Sequence, residues 1–221
     1  MTGTIRKATI LVAFGLLAAG TAMAGIPSPA HCTTPNWLDV VGTNGSVADP
    51  LGAFQVVVHD VSDLPIAGST VTVDFAAATD IRLCTDIKPV GQTNTCNQAS
   101  AITNISGVAT FTIAGAAKDI GGLNYGGVLN SIVVYADGIT IGHMSAAVFD
   151  LNGAAGSPGL SSLDGSALST DNGLYGGVGN ALYKARCDYT HDGFQSSLDA
   201  SYMSTRRGLG TSAVGCGTYC P

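Results

Sequence analysis

Residues 56–75 read VVVHDVSDLPIAGSTVTVDF, two runs of β-branched side chains on either side of a turn-forming segment. Val and Thr suit the pleated strand, and Asp-Leu-Pro-Ile-Ala-Gly between them supplies the break. Taken at full length the runs are FQVVVHD (54–60) and STVTVDF (69–75). Successive side chains of a strand point to opposite faces, so Phe54, Val56 and Val58 share one face, as do Val71, Val73 and Phe75. Those two faces are the expected core. The pattern returns in GVATFTI (107–113), SIVVYAD (131–137) and HMSAAVF (143–149), with the turn formers TNISG before the first and Ala-Asp-Gly after the second. Short strands at this spacing between Trp37 and Phe149 predict a mainly β fold, an antiparallel β-sandwich, and about 110 residues suffice to enclose one core. Trp37 reads as a core or edge anchor, because a single aromatic makes no sugar-binding face.

Three of these segments together resemble a known family. VVVHDVSDLPIAGSTVTVDF, TNISGVATFTIAG (103–115) and VVYADGITIG (133–142) are similar to a bacterial immunoglobulin-like domain of the invasin or big-1 type. A strand ends at Asp, a Pro-hydrophobic-Ala/Gly turn follows, the next strand starts at once, and a Gly-x-Ala-x-Phe strand comes later. The resemblance covers residues 36–149 and implies an immunoglobulin-like sandwich. It implies little about function, since such sandwiches host many roles.

The two ends of the chain bound the compartment. Arg6 and Lys7 precede an apolar run from Ala8 to Ala19 and an Ala22-Met23-Ala24 site, the layout of a cleavable secretory signal over residues 1–24. Residues 25–35 are then a lead-in to the sandwich, and Gly25 is the expected mature N-terminus. No other stretch is long and apolar enough to span a bilayer. The expected location is extracellular, either secreted or on the cell surface. There the six cysteines (Cys32, Cys84, Cys96, Cys187, Cys216 and Cys220) meet an oxidising environment. Sequence does not choose among fifteen pairings. Cys84 and Cys96 flank a turn-rich segment they could staple, and Cys187 is the expected partner of a bridge within the tail. A zinc site is disfavoured by the absence of a C-x-x-C spacing.

All fifteen acidic residues are aspartates, and loss of Arg6 and Lys7 with the signal takes the formal charge from −6 to −8. A chain this acidic, without a basic stripe, is not expected to bind nucleic acid. GLYGGVGN (173–180) follows no strand and matches neither glycine-rich phosphate pattern, so it reads as a linker. His59-Asp60 lacks a G-x-S-x-G nucleophile, and His59 is expected on the strand face opposite the core. With no glutamate for a glycosidase pair, although two aspartates would serve, no enzyme is expected.

After Phe149 the composition turns to Gly, Ser and Ala, and residues 150–221 form a second expected region with a disulfide-rich tail. Leu160–Leu168 (LSSLDGSAL) repeats as Gln195–Met203 (QSSLDASYM), 35 residues later. The second copy lies in DYTHDGFQSSLDASYM (188–203). Set against a calcium loop, Asp188 takes the first position and Thr190 the third. Asp192 takes the fifth, Gly193 the sixth, the Phe194 carbonyl the seventh, Ser196 the ninth and Asp199 the twelfth. Calcium wants such alternating hard oxygens around a sharp glycine turn. An aspartate at the last position and a tandem arrangement resemble a dockerin, a family whose loops bind Ca²⁺ and whose pair of loops docks onto a cohesin partner. Gln195 departs from the apolar residue usual at the eighth position. The first copy, from Asp150 and Asn152 to Asp164, runs to fifteen residues, three more than the standard loop.

These readings lead to one expectation and one alternative. The expectation is a non-catalytic extracellular structural or cell-surface protein, with a calcium-stabilised C-terminal region supporting assembly or adhesion through a protein partner or self-assembly. The alternative is a recognition module whose dockerin-like tail docks onto a cohesin-like partner or a polysaccharide-associated complex, though no feature supports direct carbohydrate binding.

Overall fold

The computed structural model describes residues 25–44, 47–118, 127–151, 153, 159–171, 176–177, 184–208 and 215–216. The expected signal, residues 1–24, and Asn152 and Cys220 lie outside them. In chain order the strands are β1 (Trp37–Val41), β2 (Thr43–Asn44), β3 (Val47–Ala48), β4 (Ala53–Val57), β5 (Thr70–Asp74), β6 (Ile81–Leu83) and β7 (Gln92–Asn94). They continue with β8 (Gln98–Ile102), β9 (Val108–Ala117), β10 (Ile132–Ala136), β11 (Ile139–Val148), β12 (Gly176–Gly177) and β13 (Phe194–Gln195). Two helices follow the main strands, α1 (Ser162–Asp171) and α2 (Ser197–Gly208). The fold is mainly β, as expected.

Nine strands form one curled, mixed sheet in the order β4-β9-β1-β11-β10-β5-β8-β7, with β6 also on β9. β1 departs from the antiparallel expectation, running parallel to both β9 and β11. The two ten-residue strands produce the curl by serving different partners along their lengths. β9 pairs with β4 through residues 108–112, then with β6 through 115–117. β11 pairs with β10 as far as Met144, then with β1 from Ser145 to Val148. Gln92 of β7, buried, closes the curl: its Nε2 donates to the Thr112 carbonyl of β9, and Thr112 N–H donates to its Oε1, both at 3.1 Å. The last strand in the order is thereby tied to the second.

Local chemistry explains the turns. Asp137 and Gly138, at φ 48° and 82°, make the tight β10–β11 hairpin, whose backbone favours just these residue types. Gly107 (φ 71°) lets the 103–107 turn pass so close to Val58 that a Cβ would lie 2.5 Å from its carbonyl oxygen. The predicted core faces are buried at Val56, Val58, Val71, Val73 and Phe75, with Phe54 partly buried against them. One hydrophobic cluster continues from these residues into Leu151, Leu160, Leu168, Cys187, Tyr189 and Met203, so the sheet and the C-terminal region share a core.

The cysteines differ from expectation. Cys84, at the end of β6, is bridged to Cys216 across 132 residues rather than to Cys96, with the two Cα atoms 5.6 Å apart. Closing a loop that long restricts the unfolded chain by about 5 kcal/mol on the chain-entropy account. Cys96 is disulfide-bonded as well. Cys187 is not bridged; it is a buried thiol that faces the hydrophobic cluster from a 3-10 turn, Ala185–Cys187. Cys216, one of the tail cysteines it could have joined, is taken by Cys84.

Among the described residues, no strand lies beside the edge of β11 away from β1 past Met144. Residues 145 and 149 turn their N–H groups toward β1, where Asn36 and Val40 accept them, so the carbonyls of Ala146 and Val148 point the other way. Side chains of the C-terminal region fill that edge. Arg186 Nη1 donates to the Ala146 carbonyl at 3.0 Å, and Tyr189 Oη donates to that of Val148 at 2.9 Å. The remaining guanidinium nitrogens form a two-pronged ion pair with Asp80, at 2.7 and 2.8 Å. Arg186 is wholly buried, so removing it strands a buried carbonyl and a largely buried carboxylate. Arg186→Ala should therefore lower the unfolding free energy by about 3–5 kcal/mol. Arg186→Lys, which keeps the charge but not the planar fork, should recover only part of this in urea unfolding.

Candidate functional site

The C-terminal region repeats its hydrogen bonding as it repeats its sequence. In the first copy the Ser161 hydroxyl accepts Leu163 N–H (3.2 Å), while one oxygen of Asp164 accepts Ser161 N–H (2.7 Å) and its hydroxyl (2.8 Å). In the second the Ser196 hydroxyl accepts Leu198 N–H (3.1 Å), and one oxygen of Asp199 accepts Ser196 N–H (2.7 Å) and hydroxyl (3.3 Å). Each is a reciprocal cap at the start of a helix, satisfying N–H groups that the helix itself leaves open. The other oxygen of each aspartate reaches back into the preceding loop, to Leu151 N–H in the first copy and to Thr190 N–H in the second. Leu168 and Met203, again 35 residues apart, are buried, whereas Leu163 and Leu198 stand 53% and 61% exposed.

The predicted calcium ligands are distributed as follows. Asp188 and Asp199 are buried at the two ends of the second loop, and Asp188 accepts Gly193 N–H at 3.0 Å. The Thr190 hydroxyl donates to Asp199 at 3.1 Å. Asp192 is exposed, and its Oδ1 accepts Phe194 N–H in a local turn. Phe194 and Gln195 form β13, paired with β12. In the first loop Asp150 accepts Gly153 and Gly159 N–H, both at 2.8 Å, and Asp164 closes the loop as described. Among the described residues, the one trio of ligating side chains with atoms mutually within 4.8 Å is Cys84, Asp86 and Cys216, and its cysteines form the disulfide. Asp188, Asp192 and Asp199 do not form such a trio. The chemistry shown is carboxylates holding loop backbones.

The second loop sits on the sheet through an aromatic and ionic contact that the sequence reading missed. His191, at φ 58°, stacks its ring on Trp37 of β1 with centroids 5.1 Å apart and planes 9° from parallel. Its Nε2 lies 3.0 Å from Asp39 Oδ1, also on β1. Trp37 begins β1, an inner strand of the sheet, and His191 is the ring it stacks on. A cleft of about 310 Å³ opens beside the pair, lined by Asn36, Trp37, Asn130, Ser145, His191 and Asp192. Below the loop, Phe149, Tyr189 and Tyr202 stack in series, with Arg206 over the Tyr202 ring at 4.7 Å. His59, expected on the strand face opposite the core, bonds to Asp63 at 2.7 Å and holds the Asp63 carboxyl below its ordinary pKa.

Gln195 occupies the eighth loop position and is 1% exposed, the burial an apolar side chain would take, yet neither amide atom has a hydrogen-bond partner among the described residues. Buried polar atoms without partners cost about 1–3 kcal/mol. Gln195→Met, of similar length and without those atoms, should raise stability by about 1–2 kcal/mol in denaturant unfolding.

The His191 contact makes a pH prediction. Burial of the ring opposes its charged form, but the Asp39 hydrogen bond and the carboxylates of Asp39, Asp188 and Asp199 outweigh that, so its pKa lies above 6.5. A raised folded-state pKa contributes stability that is fully present below 6.5 and is lost as pH rises through the folded value. The melting-temperature advantage of wild type over His191→Asn should be largest near pH 6 and shrink above it; asparagine tolerates the left-handed backbone and does not titrate. An advantage that does not vary with pH would mean the contact carries no charge.

Among the described residues no helix is long and apolar enough to cross a membrane. No family model, curated protein or solved structure matches this chain, so what the region does is argued from its residues.

Proposed function

We propose that the chain is a non-catalytic extracellular structural or cell-surface protein. An immunoglobulin-like β body carries a dockerin-like, calcium-stabilised loop–helix region that supports assembly or adhesion. The observation that carries this reading is how the aspartates are used. Asp150, Asp164, Asp188 and Asp199 are buried, and their oxygens accept backbone N–H groups of their own loops. Carboxylates used in this way set loop shape; they do not present an acid or base to a substrate. The antiparallel run β10-β5-β8-β7 and the curl of the sheet support the immunoglobulin-like body. Calcium is supported by the placement of Asp188 and Asp199 at opposite ends of one loop, with Asp192 available from its exposed side. An ion there would relieve the repulsion among the three charges.

A second reading, docking onto a cohesin-like partner, is favoured by Leu163 and Leu198. The repeat puts the same exposed apolar side chain at the same place in both copies, and Phe194, before the second helix, is exposed as well. Solvent-facing leucines at matched positions suit a protein partner that meets both helices.

Melting the mature protein in calcium and in chelator tests the proposal. Extracellular calcium sites bind with a Kd of about 10⁻⁴ to 10⁻³ M, so a few millimolar is the working range. Calcium should raise the melting temperature by a few degrees, Asp192→Ala should abolish the shift, and Asp63→Ala, at an exposed turn of the sheet, should leave it intact. A wild-type melt indifferent to chelator would remove calcium from the reading and leave the region held by hydrogen bonds alone.

A further inference from the structure

We infer a binding site for a small oxyanion, meaning a carboxylate, sulfate or phosphate group, around Arg82 of β6. The strand places Arg82 against β9, pairing it with Ala116, and a cavity of about 160 Å³ opens beside it. Thr79, Arg82, Asn97 and Lys118 line the cavity, with Phe75 and Ile81 as apolar wall. Arg82 Nε has no exposed surface and no hydrogen-bond partner, and no ion pair reaches the guanidinium among the described residues. The contrast with Arg186 is direct: that arginine is wholly buried and uses its nitrogens on Asp80 and the Ala146 carbonyl, whereas Arg82 is half-buried with its Nε enclosed and unpartnered. Asp80, the acidic group nearest in sequence to Arg82, is thus already engaged.

Leaving a guanidinium donor dry and unpaired is costly, and a second cation on the same cavity wall adds repulsion. The cost is the more notable in a chain of formal charge −6, where carboxylates to pair with are plentiful. An anion seated between Arg82 and Lys118 would satisfy the buried Nε, offset both charges and draw on the Thr79 hydroxyl and the Asn97 amide. The planar guanidinium fork matches an oxyanion, and the cavity has room for the single terminal group that bears one. Two sources supply this chemistry outside a cell: inorganic sulfate or phosphate, and the carboxylate of an acidic sugar.

The test is thermal melting of the full mature chain with sodium sulfate, sodium phosphate or sodium glucuronate, each against sodium chloride at the same ionic strength. The chloride arm controls for screening. Arg82→Met, which keeps the aliphatic stem without the guanidinium, controls for general stabilisation by excluded salts. We expect a saturable rise of about 3 °C or more in wild type with at least one oxyanion, and its loss in Arg82→Met. In chloride alone Arg82→Met should melt no lower than wild type, because it removes the buried, unpartnered Nε donor. Lys118→Gln should weaken the response without abolishing it. A response to glucuronate alone would identify the acidic sugar, and one to all three the bare oxyanion. No saturable rise with any of the three, or a rise that Arg82→Met retains, would overturn the site.

Discussion

Past Met144 one edge of β11 has no strand beside it among the described residues, and the carbonyls of Ala146 and Val148 turn outward into protein rather than water. In a buried sheet such groups must be satisfied or they cost about 1–3 kcal/mol each. The fold satisfies them with side chains, Arg186 on one carbonyl and Tyr189 on the next. The arrangement of the C-terminal half follows from this. Arg186 brings in Asp80 and so the turn before β6; Tyr189 brings the Phe149 and Tyr202 rings and hence α2. His191, two residues further, reaches β1 through Trp37 and Asp39. Three residues of one short segment, Arg186, Tyr189 and His191, thus fasten the duplicated loops to the sheet.

That fastening changes what the duplicated region is. A loop–helix pair of this size, rich in Gly, Ser and Ala, has little apolar surface of its own to bury. Leu151, Leu160, Leu168 and Met203 join the cluster that Val56 and Val73 belong to, so the pair borrows the core of the sheet. The aspartates then do local work, capping helices and bridging back to the loops. The faces left over carry Leu163, Leu198 and Phe194 into solvent, and it is there that contact with another molecule has material to work with.

Much of the β body was legible in the sequence, and the reason is propensity. β4 and β5 alternate Val and Phe with polar residues, so their buried faces could be assigned from sequence; β9, β10 and β11 announced themselves as strands, although the Ala-rich ends of β9 and β11 are buried at consecutive positions rather than alternate ones. β7 and β8, Gln-Thr-Asn and Gln-Ala-Ser-Ala-Ile, carry almost no such signal; their place is set by pairing with β5 and by the Gln92 bonds to β9. The parallel pairing of β1 is likewise a tertiary choice. The duplication was legible at 35 residues, but the work of its aspartates was not, since metal loops and capped turns ask for the same Asp, Ser and Gly at the same spacing. A bridge spanning 132 residues and an arginine without a partner leave no local trace at all.

The central claim is that sheet and duplicated region fold as one unit because the β11 edge is closed by side chains. Native-state hydrogen exchange tests it most directly. The amides of Thr190, Ser196 and Ser161, held by Asp199 and Asp164, should exchange with the same free energy and the same denaturant dependence as Ser145 and Phe149, which bond across to β1. Exchange of the first group through a separate opening of lower free energy, with the sheet amides still protected, would contradict the account.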